Sequence, residues 1–226
     1  MLTLILMSAL FQPPAPAFHA QIDHFVVAIR SLAESTAAFE RLSGVKPVVG
    51  GRHPARGTEN ALVALGNGIY LEIIAPQAGA KLSTLDAPMR DLTSLTVIAW
   101  AVGVSNAEEA RARVITAGGT PSPVTPGSRV TPTGLTLEWS TFGLLSPHID
   151  VAPFFIHWSE GTTHPSTTSP RGCTFSRLLV QDPASADLTK VLGGLGVKDV
   201  EVANAGTGIS VVLECPKGPL TLKTSD

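Results

Sequence analysis

Residues 21–44, QIDHFVVAIRSLAESTAAFERLSG, contain the change of period that decides the architecture. Residues 21–29 are a short β-rich run suited to a strand. Ser31-Leu-Ala-Glu34 then forms a capping box: Ser31 accepts from the backbone N–H three residues on, and Glu34 reaches back. A helix follows. Leu32, Phe39 and Leu42 fall near one stripe of it, and Gly44 stands where a left-handed residue ends it. Residues 46–50, 61–65 and 69–75 read as three further strands, the last two joined by the turn Gly66-Asn67-Gly68. The unit is β-α-β-β-β.

The same order returns when Asn106 is set against Ser31. Residues 95–104 are a strand, Asn106-Ala-Glu-Glu109 is a second cap, and a helix over 107–117 stops at Gly118-Gly119; strands at 135–142 and 153–158 follow. Internal duplication explains this economically. A shorter copy has a strand at 175–181, Asp182-Pro183 as N-cap and first helical residue, a helix to Leu192, and strands at 200–203, 209–214 and 220–223. The Ser/Thr/Pro-rich stretch 162–170 is a loop. The expected organisation is a leader or signal peptide over 1–20, βαβββ modules at 21–80 and 92–161, and a third, degenerate module at 172–226 packed on the same domain. The fold class is α+β, with the paired modules forming a cup-shaped curved mixed sheet and the helices outside.

Composition narrows the partners. The 226 residues are 44% hydrophobic and 15% charged, against about 25% charged in an ordinary soluble domain, so a sizeable core is expected. Sixteen Lys and Arg against eighteen Asp and Glu, with no basic cluster, argue against nucleic acid and toward a small-molecule ligand. The apolar run Leu2–Phe11 is too short to span a bilayer, and no later stretch reaches the ~20 residues needed, so no transmembrane segment is expected. Ala15 and Ala17 suit a signal-peptide cleavage site, yet the first basic residue is Arg30. The expected location is cytoplasmic, with export as the alternative. Cys173 and Cys215 read as buried small hydrophobes, with a bridge between them if the chain is exported.

Three segments carry a family resemblance: Ile22-Asp-His-Phe-Val-Val27, Gly50-Gly-Arg-His-Pro54 continuing through Arg56-Gly-Thr58 and Asn60-Ala61, and Tyr70-Leu-Glu-Ile-Ile-Ala-Pro76. Together they resemble the glyoxalase-like branch of the vicinal oxygen chelate superfamily, over about residues 21–170. The resemblance implies a paired-unit cup with a divalent metal at its floor, held by a first-strand His and a fourth-strand Glu of each unit. It also implies lyase, isomerase or dioxygenase chemistry on a small oxygenated metabolite, or else metal-free sequestration of a small molecule. Carried over residue by residue, His24 and Glu72 are the ligands of the first unit. In the second, Ala99 stands opposite His24, and aligning the fourth strands puts His157 opposite Glu72.

The resulting set of His24, Glu72 and His157 would leave positions open for water and substrate, as a catalytic Fe, Mn, Zn or Ni ion requires. Asp23 is expected on the opposite face of its strand from His24. His53 and Glu72 are the acid–base candidates. Arg56 and Asn60, in a glycine-flanked loop, are candidates to bind substrate, Arg56 as a planar fork for a carboxylate or phosphate. Trp158 offers an apolar wall, and His164 sits on a loop placed to close the cup mouth. No nucleotide cofactor is expected. A homodimer is, through the sheet edge of the third module.

Overall fold

The structure is a computed structural model that describes residues 17–82, 86–146 and 150–225. Of the leader reading over residues 1–20, residues 1–16 lie outside them, and Ala20 begins the first strand. Strand β1 (Ala20–Ala28) leads into helix α1 (Leu32–Ser43), then β2 (Val48–His53), β3 (Thr58–Ala64) and β4 (Tyr70–Pro76). After a short 3-10 turn at Ala87–Asp91 come β5 (Thr96–Val104), α2 (Ala107–Thr116), β6 (Thr120–Pro121), β7 (Thr125–Val130), β8 (Thr136–Phe142), β9 (Leu144–Ser146) and β10 (Phe154–Trp158). A one-turn helix α3 (Pro165–Thr168) precedes β11 (Thr174–Gln181), α4 (Ser185–Leu195), β12 (Val200–Ala203), β13 (Gly208–Cys215) and β14 (Gly218–Lys223).

Eight strands run in the order β1-β4-β3-β2-β7-β8-β10-β5, and β5 returns to pair antiparallel with β1. Within this ring β1-β4-β3-β2 and β5-β10-β8-β7 have the same order, each closed by a parallel pair between its first and last strands. The ring is tight where β1 meets β5 and thin on the far side, where β2 and β7 share the single pair Arg52 with Val130. The strands β14-β13-β11-β12 continue from β5, so the first strand of this last segment sits inside its sheet, between β12 and β13.

Two apolar layers follow from strand alternation. Phe25, Val27, Leu71 and Ile73 face outward with Phe39 of α1, Val114 of α2 and Leu188 of α4 in the main core. Val26, Ala28, Ile74 and Met89 form a smaller cluster, joined by Ile98, Ala99 and Phe154. The cap of α1 is as expected at Ser31, whose Oγ accepts from Glu34 N at 3.3 Å, while the Glu34 carboxylate takes Arg30 Nε at 2.8 Å. The buried stripe of α1 is Ser35, Phe39 and Ser43, at i, i+4 spacing, and Leu42 is exposed. The two serines are tolerated there because each hydroxyl donates to the backbone carbonyl four residues back.

Three expectations change. The polar segment 50–60, read as a loop, is mostly strand, since only Pro54–Gly57 lie outside β2 and β3. Strand β7 escapes the sequence reading because Pro126 and Gly127 break its pattern; Pro126 is tolerated beside the thin seam. Cys173 and Cys215 are bonded to each other, tying the start of β11 to the end of β13. Among the described residues no helix is long and apolar enough to cross a membrane.

Candidate active site

The ring encloses a cavity of about 490 Å³, within the usual size range for small-molecule sites. Its carboxylate and imidazoles come from the first module. In the parallel register of β1 and β4, His24 lies beside Tyr70 and Val26 beside Glu72, and all four line the cavity. The ring of Tyr70 stacks on His24 at 4.5 Å. Glu72 is buried, with Oε2 3.8 Å from His24 Nε2 and Oε1 3.7 Å from His53 Nε2. Asn60 Nδ2 donates to Glu72 Oε1 at 2.6 Å, which leaves Asn60 Oδ1 buried without a partner. Burial acts against the Glu72 carboxylate, but the two imidazoles and the Asn60 amide outweigh it and hold its pKa below the ordinary value. Burial lowers His53, so its ring is neutral at pH 7.

Asp23 is not on the face opposite His24. A bulge between Ile22 and His24 interrupts the alternation, so that Ile22 and Phe25 both face the main core. Asp23 Oδ1 then reaches His24 Nδ1 at 2.6 Å, while Oδ2 accepts from Trp158 Nε1 at 3.1 Å and meets His164 Nε2 at 3.0 Å. Gly103 makes room for it, because a Cβ there would stand 2.8 Å from Asp23 Oδ2. Burial pushes the Asp23 pKa up, yet the hydrogen bonds from His164 and His24 prevail and hold it at about 2. The ionised carboxylate keeps the proton of His24 on Nδ1 and turns Nε2 toward Glu72.

A model of the glyoxalase-like domain matches residues 22–196. The chain belongs to that family, within the vicinal oxygen chelate superfamily. No curated protein matches it. A hypothetical protein from Staphylococcus aureus shares the fold, with a TM-score of 0.60 at 15% identity over 92% of this chain and 86% of its own. Methylmalonyl-CoA epimerase from Streptomyces coelicolor gives 0.47 at 14% identity over 63% of this chain and 96% of its own. The Mycobacterium tuberculosis enzyme gives 0.45 at 17% identity over 61% and 85%.

In this glyoxalase-like chain the expected metal ligands do not converge. His24 and Glu72 face the cavity, but His157 lies between Ile156 and Trp158, which with Phe154 are the residues of β10 that do. Its Nδ1 meets the Val104 carbonyl at 3.0 Å instead. Aligning the fourth strands one residue out of step turns the wrong face inward. No three His, Cys, Asp or Glu side chains among the described residues are arranged to hold a metal ion. Strands β5 and β10 of the second module line the cavity with Ile98, Ala99, Phe154, Ile156 and Trp158, none of them a metal ligand.

Other expected site residues divide. Asn60, His53 and Trp158 line the cavity, and His164 packs edge-on against Trp158 and Tyr70. Its loop is therefore bound to the site through Asp23 as well. Arg56 borders the cavity with its side chain about half exposed, but its guanidinium pairs with the buried Asp86. The sequence reading misses Arg129 on β7, which is buried and lines the same cavity. A strand at 125–130 would have been the signal, and Gly127 hid it. That glycine is needed because a Cβ there would come 2.3 Å from the Trp139 ring nitrogen.

Proposed function

We propose that this glyoxalase-like protein is an enzyme that moves a proton on a small oxygenated metabolite, with Glu72 as the base. The supporting observation is the Glu72 carboxylate, ionised, buried at the cavity wall and flanked by the Nε2 atoms of His24 and His53. A base so placed removes a proton from carbon next to a carbonyl; the neighbouring imidazoles relay it and meet the negative charge that develops on oxygen. Asn60 keeps the carboxylate oriented, and Asp23 does the same for His24. Because the expected ligand set does not assemble, no step is assigned to a metal.

The test is hydrogen exchange in D2O, followed by NMR, over a panel of 2-oxo acids, hydroxyketones and thioesters. The full chain is expected to exchange the α-hydrogen of at least one class, and Glu72→Gln to slow that exchange by roughly 10²–10⁴-fold. Undiminished exchange in Glu72→Gln refutes the assignment. The second reading, a sequestering module without chemistry, is favoured by the apolar wall of Ile98, Ala99, Phe154 and Ile156. It predicts ligand-dependent stabilisation, ~2.7 kcal/mol at 100 times the dissociation constant, with no exchange at all. Disulfides persist in oxidising compartments, so the Cys173–Cys215 bridge supports the exported alternative.

A further inference from the structure

Arg129 is only 4% exposed. A buried guanidinium ordinarily has a carboxylate partner, since an unmatched buried charge is costly. Among the described residues none lies within ion-pair distance of Arg129, and its one side-chain hydrogen bond goes from Nη1 to the Gly50 carbonyl. Its Nε and Nη2 bond to no described residue, and Arg129 lines the cavity, as does Asn60, whose Oδ1 is the one enclosed side-chain polar atom without a partner among the described residues. Gly51 lies alongside: a Cβ there would stand 2.3 Å from the Val130 carbonyl oxygen and 3.3 Å from Arg129 Nη1. The other cation on the cavity, Arg56, is already matched by Asp86.

We propose that Arg129 is the anion-recognition residue of this cavity and that the ligand is a small monocarboxylic acid with an apolar body. The proposal rests on the cavity being the reaction site described above. A guanidinium presents parallel N–H donors that match a carboxylate. Glu72 acts on Arg129 only at longer range, so the guanidinium lacks a contacting anion, which a single carboxylate supplies. A phosphate dianion would leave a surplus charge close to Glu72, which is itself ionised. The remaining walls, with Val26, Ile98, Phe154, Ile156, Trp139 and Trp158, suit an aromatic or branched aliphatic group.

Trp139 and Trp158 line the cavity, so their fluorescence reports binding to the full chain. The probes are phenylacetate, its neutral isostere phenylacetamide, and inorganic phosphate. The wild type is expected to bind phenylacetate at least about tenfold more tightly than the amide, as a charge-assisted hydrogen bond allows, and phosphate more weakly than phenylacetate. Arg129→Gln is expected to lose the preference for the acid and Arg129→Lys to keep part of it, with near-ultraviolet circular dichroism confirming that both are folded. Equal affinity for acid and amide in the wild type, no saturable phenylacetate binding, tighter binding of phosphate, or an intact acid preference in folded Arg129→Gln overturns the proposal. The wild-type comparison stands even if Arg129→Gln does not fold. An Arg129-dependent acid preference with no α-hydrogen exchange refutes the proton-transfer reading alone, whereas exchange without that preference refutes the Arg129 assignment alone.

Discussion

Asp23 shows how much one side chain changes once the backbone departs from regular alternation. From position alone it belongs on the outer face, and a single bulge instead brings it under His24, Trp158 and His164. The same contacts make it a pH-dependent stabiliser. Its pKa falls from 3.8 to about 2 on folding, so its contribution, on the order of 2 kcal/mol, is present above about pH 4 and is lost as pH falls toward 2. Urea unfolding of the wild type between pH 2 and 5 is expected to show this slope, and Asp23→Asn to lack it. A wild-type stability that stays flat over that window would refute the pairing.

At the scale of elements, the seam between β2 and β7 is where the two modules meet most weakly and where Arg129 enters the cavity. Gly51 lies in β2 with φ of +147°, and a Cβ there would come 2.3 Å from the Val130 carbonyl oxygen. No side chain fits without moving one strand from the other. Gly51→Ala is therefore expected to destabilise the protein by roughly 1–3 kcal/mol and to weaken phenylacetate binding by more than Gly134→Ala does. Gly134 also has positive φ but has nothing within 4 Å of its Cβ position. Denaturant titration and the fluorescence assay separate strain from displacement. Equal binding losses in the two variants would count against a role for the seam in shaping the cavity.

For the whole molecule, the last four strands extend the ring from β5, and the bridge ties the segment following α3 into them. Cys173 and Cys215 are 42 residues apart in sequence. A loop of this length is worth roughly 2–4 kcal/mol of chain entropy. Cys215→Ser is expected to lower the unfolding free energy by that amount while leaving the acid preference at Arg129 intact. Calorimetry and ligand titration check the two halves. A wild-type chain that alkylates at both cysteines before reduction would show that the bridge does not form.

The mixed α+β class, the caps at Ser31 and Asn106, and His24 and Glu72 as residues of a first and a fourth strand were legible in the sequence because they depend on local period and spacing, whereas the β7 strand of the second half was not. His53 and Asn60 were legible as polar residues crowded between glycines, although their convergence on one carboxylate depends on the hairpin register. The tertiary structure alone decided the rest. Whether His157 faces inward depends on one residue of register, Asp23 on a bulge, and Arg129 on a strand that pairs across the seam between modules. Each of these is settled by contacts between segments far apart in the chain, and local spacing does not encode them.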